Sequence, residues 1–313
     1  MKLKKPKFWD YKKPNIIAYF LLPFTLPVIF NNFLLRFKKN NKNIQKIKKI
    51  CIGNIYVGGT AKTPLSINIT KTLNNLNFKT ATIKKFYSSH SDEQKLLAEK
   101  TKLYCFKKRK KALNEAIKDN VNIAIFDDGL QDRSISYDLK IVCFNNIKLI
   151  GNGLLLPAGP LREKINSLKK YDAVFINGNK RDNTNFKSLI KKHNKDIKIF
   201  ESFYAPVNIN QFNIDEKYVI FSGIGNPESF KDTLIQNKFN IIKEFIFPDH
   251  YEYTQNDIHK IKLEAKSLNA KVLTTEKDYV KINFIESDDI QFLKIDLDIK
   301  NEDEFINYLK LKI

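Results

Sequence analysis

The chain has 313 residues, 42% of them hydrophobic, and carries 55 Lys/Arg against 34 Asp/Glu for a net charge of +21. That length and apolar content allow two domains with real cores. Its three cysteines (Cys51, Cys105, Cys143) form no CxxC pair and lie in or near apolar runs, so they read as buried thiols of a reducing compartment, excluding a disulfide framework and a zinc site.

The charge is uneven along the chain. Residues 1–50 hold thirteen Lys/Arg against a single acid, Asp10, which is +12 there and leaves +9 for the other 263 residues. These basic residues flank an uncharged stretch from Ile16 to Leu35, with Trp9, Tyr11 and Tyr19 placed as aromatics are at a bilayer interface. Pro23, Pro27, Asn31 and Asn32 argue against a straight spanning helix. Residues 1–48 are therefore expected to form a membrane-anchoring segment that dips into or lies on the cytoplasmic leaflet, with lysines on anionic lipid. An N-terminal helical hairpin packed on the domain is the competing reading. No small-residue cleavage site follows, so this is not a cleaved signal peptide. The basic residues bracket a greasy segment without interleaved stacking aromatics, and nucleic acid is not an expected partner.

Residues 52–65 read Ile-Gly-Asn-Ile-Tyr-Val-Gly-Gly-Thr-Ala-Lys-Thr-Pro-Leu. An apolar strand runs into a glycine-rich turn and then a helix with Pro64 in its first turn, the order a phosphate cradle needs. Gly58, Gly59, Thr60 and Ala61 would let backbone N–H groups approach the anion, Lys62 would meet the outer phosphates, and Thr63 would ligate Mg²⁺. The match to G-x-x-x-x-G-K-[ST] is imperfect, because Tyr56 and Ala61 stand where the two glycines would be. A bland glycine turn competes with this reading. Residues 121–128, Val-Asn-Ile-Ala-Ile-Phe-Asp-Asp, are a second apolar run, ending in Asp127 and Asp128 beside Gly129. Carboxylates at the carboxyl end of a buried parallel strand can hold the same Mg²⁺.

Strands expected at residues 49–54, 80–84, 103–106, 121–126, 139–144 and 173–177 alternate with helices at 64–76, 92–100 and 111–118. This β-α-β order predicts an α/β fold with a P-loop NTPase-like, doubly wound, mainly parallel sheet. A second series follows: strands at 218–221, 240–247 and 272–274, and helices at 227–237, 254–268 and from Glu302. The expected organisation is thus an anchor at 1–48, a P-loop domain at 49–199, a hinge at 200–216 around Pro206, and a smaller α/β domain at 217–313.

Several separated motifs, in order, resemble one family, tetraacyldisaccharide 4′-kinase, the membrane-bound lipid A kinase of Gram-negative bacteria. They are Gly53-Asn54 with Val57 to Thr60 and Lys62-Thr63-Pro64, Asp92-Glu93, Asp127-Asp128-Gly129 with Gln131, and the long stretch Leu155 to Glu163. Gly223 to Pro227, Phe247-Pro248-Asp249-His250 and Thr275-Glu276-Lys277-Asp278 complete the set. Departures are Ala61 for a glycine, Asp132 for a histidine, Lys84-Lys85-Phe86-Tyr87 for Ser-Arg-Gly-Tyr, and a shortened loop before Asp92. The resemblance implies ATP and Mg²⁺ as cofactors. It further implies transfer of the γ-phosphate to the 4′-hydroxyl of tetraacyldisaccharide 1-phosphate at the cytoplasmic face of the inner membrane.

In that chemistry Lys62 holds the β/γ-phosphates while Thr63 and one of Asp127 and Asp128 hold the metal. The family analogy points to Asp92 as base, assisted by His250 from the second domain. The other histidines, His90, His193 and His259, carry nothing comparable. Arg162-Glu163 would grip the acceptor, Arg162 on its 1-phosphate, against a structural ion pair as the competing role. Glu93, Gln131 and Arg109 complete the expected substrate-binding set; a first-turn helix acid for Glu93 and a solvated helix face for Arg109 are the bland alternatives. The remaining functional alternative is a membrane-tethered P-loop ATPase or GTPase acting as a switch or partner-binding protein. No convincing Asn-Lys-x-Asp base-specificity motif supports it.

Overall fold

The computed structural model describes residues 5–37, 47–88, 91–178, 182–282 and 288–313; His90 and residues 38–46, part of the basic N-terminal charge, lie outside the described residues. The apolar N-terminal stretch is chopped into α1 (Ile16–Phe20), a 3₁₀ turn (Leu22–Thr25) and α2 (Leu26–Phe37). Pro23 and Pro27 fall in the first turns of the latter two, where a proline's missing N–H costs least. No described helix is long and apolar enough to cross a membrane. The segment rests on the 150s loop: Asn152 N–H donates to the Trp9 carbonyl (2.9 Å), the Trp9 indole to the Pro157 carbonyl (2.9 Å), and the Asn32 amide to the Arg162 carbonyl (2.9 Å). Ile16, Phe20, Phe24 and Phe30 are left exposed.

Next come β1 (Lys48–Gly53), α3 (Lys62–Asn75), β2 (Thr80–Lys85), α4 (Ser91–Lys100), β3 (Leu103–Phe106), α5 (Arg109–Lys118), β4 (Ile123–Asp127), β5 (Leu139–Asn145), β6 (Ala173–Asn177), α6 (Thr184–His193) and β7 (Lys198–Pro206). These strands lie parallel in the order β7-β6-β5-β1-β4-β2-β3. Both faces are covered, as such a sheet requires. One core packs α5 and α6 residues (Ala112, Leu113, Phe186, Ile190) on one face, and the other packs α3 residues (Leu65, Ile69, Leu73) opposite.

The second unit is β8 (Lys217–Ser222), α7 (Pro227–Gln236), β9 (Asn240–Ile246), α8 (Gln255–Ser267), β10 (Lys271–Thr275), α9 (Glu276–Tyr279) and β11 (Ile290–Leu293), a parallel sheet in the order β11-β10-β8-β9. The chain then returns to the large sheet. β12 (Ile295–Ile299) pairs antiparallel with β7, and α10 (Glu302–Lys312) buries Phe305, Tyr308 and Leu309 in the α3-side core.

Two sequence expectations change here. Residues 198–206 form a full strand in the sheet, whereas 200–216 read as a hinge; Pro206 closes the strand, where a lost donor does little harm. Residues 295–313, grouped by sequence with the smaller domain, pack on the large sheet. Their signal is weak because β12 is an edge strand that alternates Ile295, Leu297 and Ile299 with Asp296 and Asp298.

If α10 is part of the large core, Phe305→Ala should destabilise the protein by about 3–5 kcal/mol. Urea denaturation checks this, and a loss below about 1 kcal/mol would detach α10 from that core.

Candidate active site

Sheet register assembles the first half of the site. β1 feeds the phosphate loop, and its neighbour β4 ends at Asp127, paired with Ile52 on one side and with Lys84 of β2 on the other. The loop is pinned from inside by buried Asn54, whose amide donates to Thr60 Oγ1 (3.1 Å) and the Gly58 carbonyl (3.3 Å). Ala61 adopts φ 64°, a left-handed conformation natural to glycine, before α3 begins at Lys62. The whole loop from Gly58 to Thr63 lines a cavity of about 380 Å³ between the two units.

The paired acids behave differently. Asp127 is fully buried and saturated: Oδ2 accepts from Thr63 Oγ1 (3.2 Å) and Lys84 Nζ (2.5 Å), and Oδ1 from Ser66 Oγ (3.3 Å). Asp128 is turned by a φ of 57° into the cavity, 3.9 Å from Lys62 Nζ and 3.3 Å from the Arg162 guanidinium. Burial would raise its carboxyl, but the Lys62 and Arg162 charges outweigh that and hold it below the usual range. The cavity therefore offers Thr63 and Asp128 as hard oxygen donors, which fits Mg²⁺, an ion commonly held by one or two carboxylates together with substrate phosphates. Among the described residues no group of three His, Cys, Asp or Glu side chains forms a metal cage.

The other half comes across the cleft. His250, at φ 57° with its N–H on the Gly223 carbonyl (3.2 Å), points Nδ1 at both Asp92 oxygens (2.9 and 3.0 Å). Asp92 opens α4 and is 1% exposed; Lys277 (3.4 Å) and Lys281 (3.8 Å) reach Oδ2. Burial alone would raise the Asp92 carboxyl, but the His250 hydrogen bond and the charges of Lys277, His250 and Lys281 hold it well below the usual range. Glu93 shares this junction, with Oε2 on Lys84 (2.7 Å) and Oε1 3.8 Å from His250 Nε2 and 3.6 Å from Lys277. Glu93 and His250 line the cavity, while Asp92 lies behind them.

The remaining expected residues divide. Arg162 lines the cavity and also reaches Gln131 Oε1 (3.4 Å). The Gln131 amide donates to Glu163 (3.1 Å) and to the Asn54 carbonyl (3.1 Å), and Glu163 further accepts from the Tyr171 hydroxyl (2.9 Å). Glu163 lines a smaller groove together with Lys164 and with Ile29 and Phe33 of the N-terminal segment. Arg109 is buried behind the site, on the Asp128 carbonyl (2.5 Å) and Asp132 (3.3 Å), so it braces the Asp128 turn and is not a solvated helix face. Sequence reasoning assigned no role to Lys84, Lys277 or Lys281. Lys84 had one signal, a strand-end position beside Asp127 in a parallel sheet.

A phosphate loop that opens a helix beside a strand ending in acids defines the class of P-loop nucleotide-binding proteins. Comparison with known proteins narrows it. The profile of the Tetraacyldisaccharide-1-P 4′-kinase family matches residues 17–313. A tetraacyldisaccharide 4′-kinase of Pelagibacter ubique (strain HTCC1062) is 48% identical over 310 residues, covering 99% of this chain and 98% of that one. One from Rickettsia bellii (strain OSU 85-389) is 40% identical, covering 96% of each. Among solved structures, LpxK from Aquifex aeolicus in complex with ATP has a TM-score of 0.68 at 21% identity, covering 94% of this chain and 99% of that one, and shares the fold. The chain belongs to the tetraacyldisaccharide 4′-kinase family.

The two units touch backbone to backbone where a Cβ on Gly225 would stand 2.6 Å from Gly59 N and 2.9 Å from Asp249 Oδ2. Gly225→Ala should push the phosphate loop and second unit apart and lower kcat/KM by roughly 10²-fold. Stability measured alongside should fall little, and unchanged kinetics would show that the close approach does not matter. The Asp92 carboxyl is depressed, so it stabilises the fold fully above its unfolded pKa near 3.8 and progressively loses that contribution below it. Asp92→Asn should therefore be less stable than wild type at pH 7, with the difference narrowing as pH falls below about 4. A gap that stays constant in pH-dependent denaturation would contradict this.

Proposed function

We propose that this kinase transfers the γ-phosphoryl group of ATP to the 4′-hydroxyl of tetraacyldisaccharide 1-phosphate, a lipid A precursor. The observation that carries the reading is that the phosphate loop and His250 line one cavity, with Asp92 behind His250 and bonded to its Nδ1. Phosphoryl transfer asks the protein mainly for positioning and charge stabilisation, plus a group for the acceptor's proton. Lys62 meets the outer phosphates. Mg²⁺, when bound with ATP, supplies charge neutralisation at the phosphates, and Thr63 Oγ1 and Asp128 would hold it.

The sequence analogy made Asp92 the base. With its oxygens on His250, Lys277 and Lys281, Asp92 is a poor proton acceptor, while His250 reaches the cavity. We therefore assign the proton to His250 Nε2 and the orienting of the ring to Asp92, as an acid fixes a histidine tautomer elsewhere. Arg162, bonded to Gln131, which in turn donates to Glu163, would meet an anionic group of the acceptor. The switch-protein alternative gains no support from a histidine-bearing second unit that completes the cavity.

Incubation with γ-³²P-labelled ATP, Mg²⁺ and the tetraacyl-disaccharide 1-phosphate should give a labelled bis-phosphorylated lipid. Lys62→Ala should abolish it in a folded protein, and full turnover by that variant would remove the phosphate-loop assignment. Asp92→Ala and His250→Ala should each lower kcat strongly, and the double variant should be scarcely worse than the worse single one, since the pair acts as a unit.

We further assign the exposed apolar face of α1, the following turn and α2 to the cytoplasmic leaflet of the inner membrane. Phe20→Ser, Phe24→Ser and Phe30→Ser together should release the protein from anionic vesicles at high salt, where charge attraction is screened. Co-sedimentation equal to wild type would place the contact elsewhere.

A further inference from the structure

We propose that Lys84 is the resident cation of the acidic corner of this site, and that it bars a divalent ion from Asp127 until nucleotide brings one to Thr63 and Asp128. The proposal rests on the kinase reading above. Lys84, the penultimate residue of β2, is buried and directly in register with Asp127 of β4. Its ammonium is 2.5 Å from Asp127 Oδ2 and 2.7 Å from Glu93 Oε2, with the side chain 4% exposed and Asp127 not exposed at all.

Every oxygen of Asp127 is then engaged by Lys84, Thr63 or Ser66. A divalent ion set against Asp127 would lie beside a buried ammonium, where little water screens the repulsion. Asp128 has no such partner in the same geometry: Lys62 stands 3.9 Å away and Arg162 3.3 Å, both on the cavity wall, where phosphates can draw them off.

Lys84 also acts as a positioning residue for Glu93. It occupies Oε2, which turns Oε1 toward His250 Nε2 and Lys277. The same ammonium therefore compensates charge at the metal corner and orients a carboxylate at the proton-accepting corner. A site of this kind needs no ion to stay folded when nucleotide is absent.

The test compares wild type, Lys84→Ala and Lys84→Arg for Mn²⁺ binding without nucleotide, read by electron paramagnetic resonance, with melting temperature read alongside. Wild type and Lys84→Arg should bind Mn²⁺ weakly, and Lys84→Ala at least tenfold more tightly. Lys84→Ala should also melt lower than wild type and recover on adding Mn²⁺, whereas wild type should not respond. Equal Mn²⁺ affinity in wild type and Lys84→Ala overturns the proposal. If Lys84→Ala fails to fold without metal, recovery on refolding in Mn²⁺ supports the proposal and continued failure overturns it, since a merely structural lysine cannot be replaced by an ion. Label transfer by wild type is read separately, so a failed kinase reaction leaves the Mn²⁺ comparison standing.

Discussion

The carboxylate of Asp92 belongs by chain and by packing to the large unit, yet the cations around it come from the small one. His250 follows β9, and Lys277 and Lys281 lie in and just after α9. From its own side, among the described residues, the Glu93 N–H of the next residue reaches it (2.8 Å). Ionised partners buried together contribute little net stability because desolvation offsets their attraction, but a buried charge left without its partner is costly. The contact therefore acts as a geometric constraint: the two units are held in the one arrangement that pairs Asp92. The Lys100–Glu276 pair (2.5 Å) and the Gly59–Gly225 approach lie along the same seam.

That constraint explains the density of charge around the cavity. Lysines 62, 84 and 277 all act on Glu93, and the acids Asp92, Asp127, Asp128 and Asp249 each face at least one cation. A site meant for triphosphate and a phosphorylated acceptor needs excess positive charge when occupied, and it must avoid self-repulsion when empty. Interleaved acids meet both needs, because each cation has a carboxylate to rest on until phosphate oxygens replace it.

Much of this was legible in the chain where the signal is local. The β1–α3 phosphate loop and the β4 acids read directly, since buried parallel strands are continuous apolar runs and the loop's chemistry lies within a few residues. The Asp92–His250 pair came from motif resemblance alone; 158 residues separate them and no spacing rule connects them. α6 went unread because only Phe186 and Ile190 of its ten residues are buried, amid lysines and asparagines. β11 and β12 were missed for a related reason, as short strands with mixed polarity. Lys84 looked like one more lysine in a lysine-rich chain, and only the register against Asp127 gives it meaning.

Tyr56 joins the N-terminal segment to the same machinery. It occupies the place of the phosphate loop's usual first glycine, and its fully buried ring carries a hydroxyl that bonds Asp10, with Lys5 beside it. Asp10 also meets Lys148 (3.4 Å), which reaches on to Glu228 in the first turn of α7 (3.1 Å). One small cluster thus touches the segment that carries the exposed apolar face, the start of the phosphate loop and the second unit. A glycine at position 56 would make the loop more permissive but would cut the first of these links. With tyrosine there, packing and hydrogen bonds tie the segment that carries the apolar face to the phosphate loop and, through Lys148 and Glu228, to the second unit.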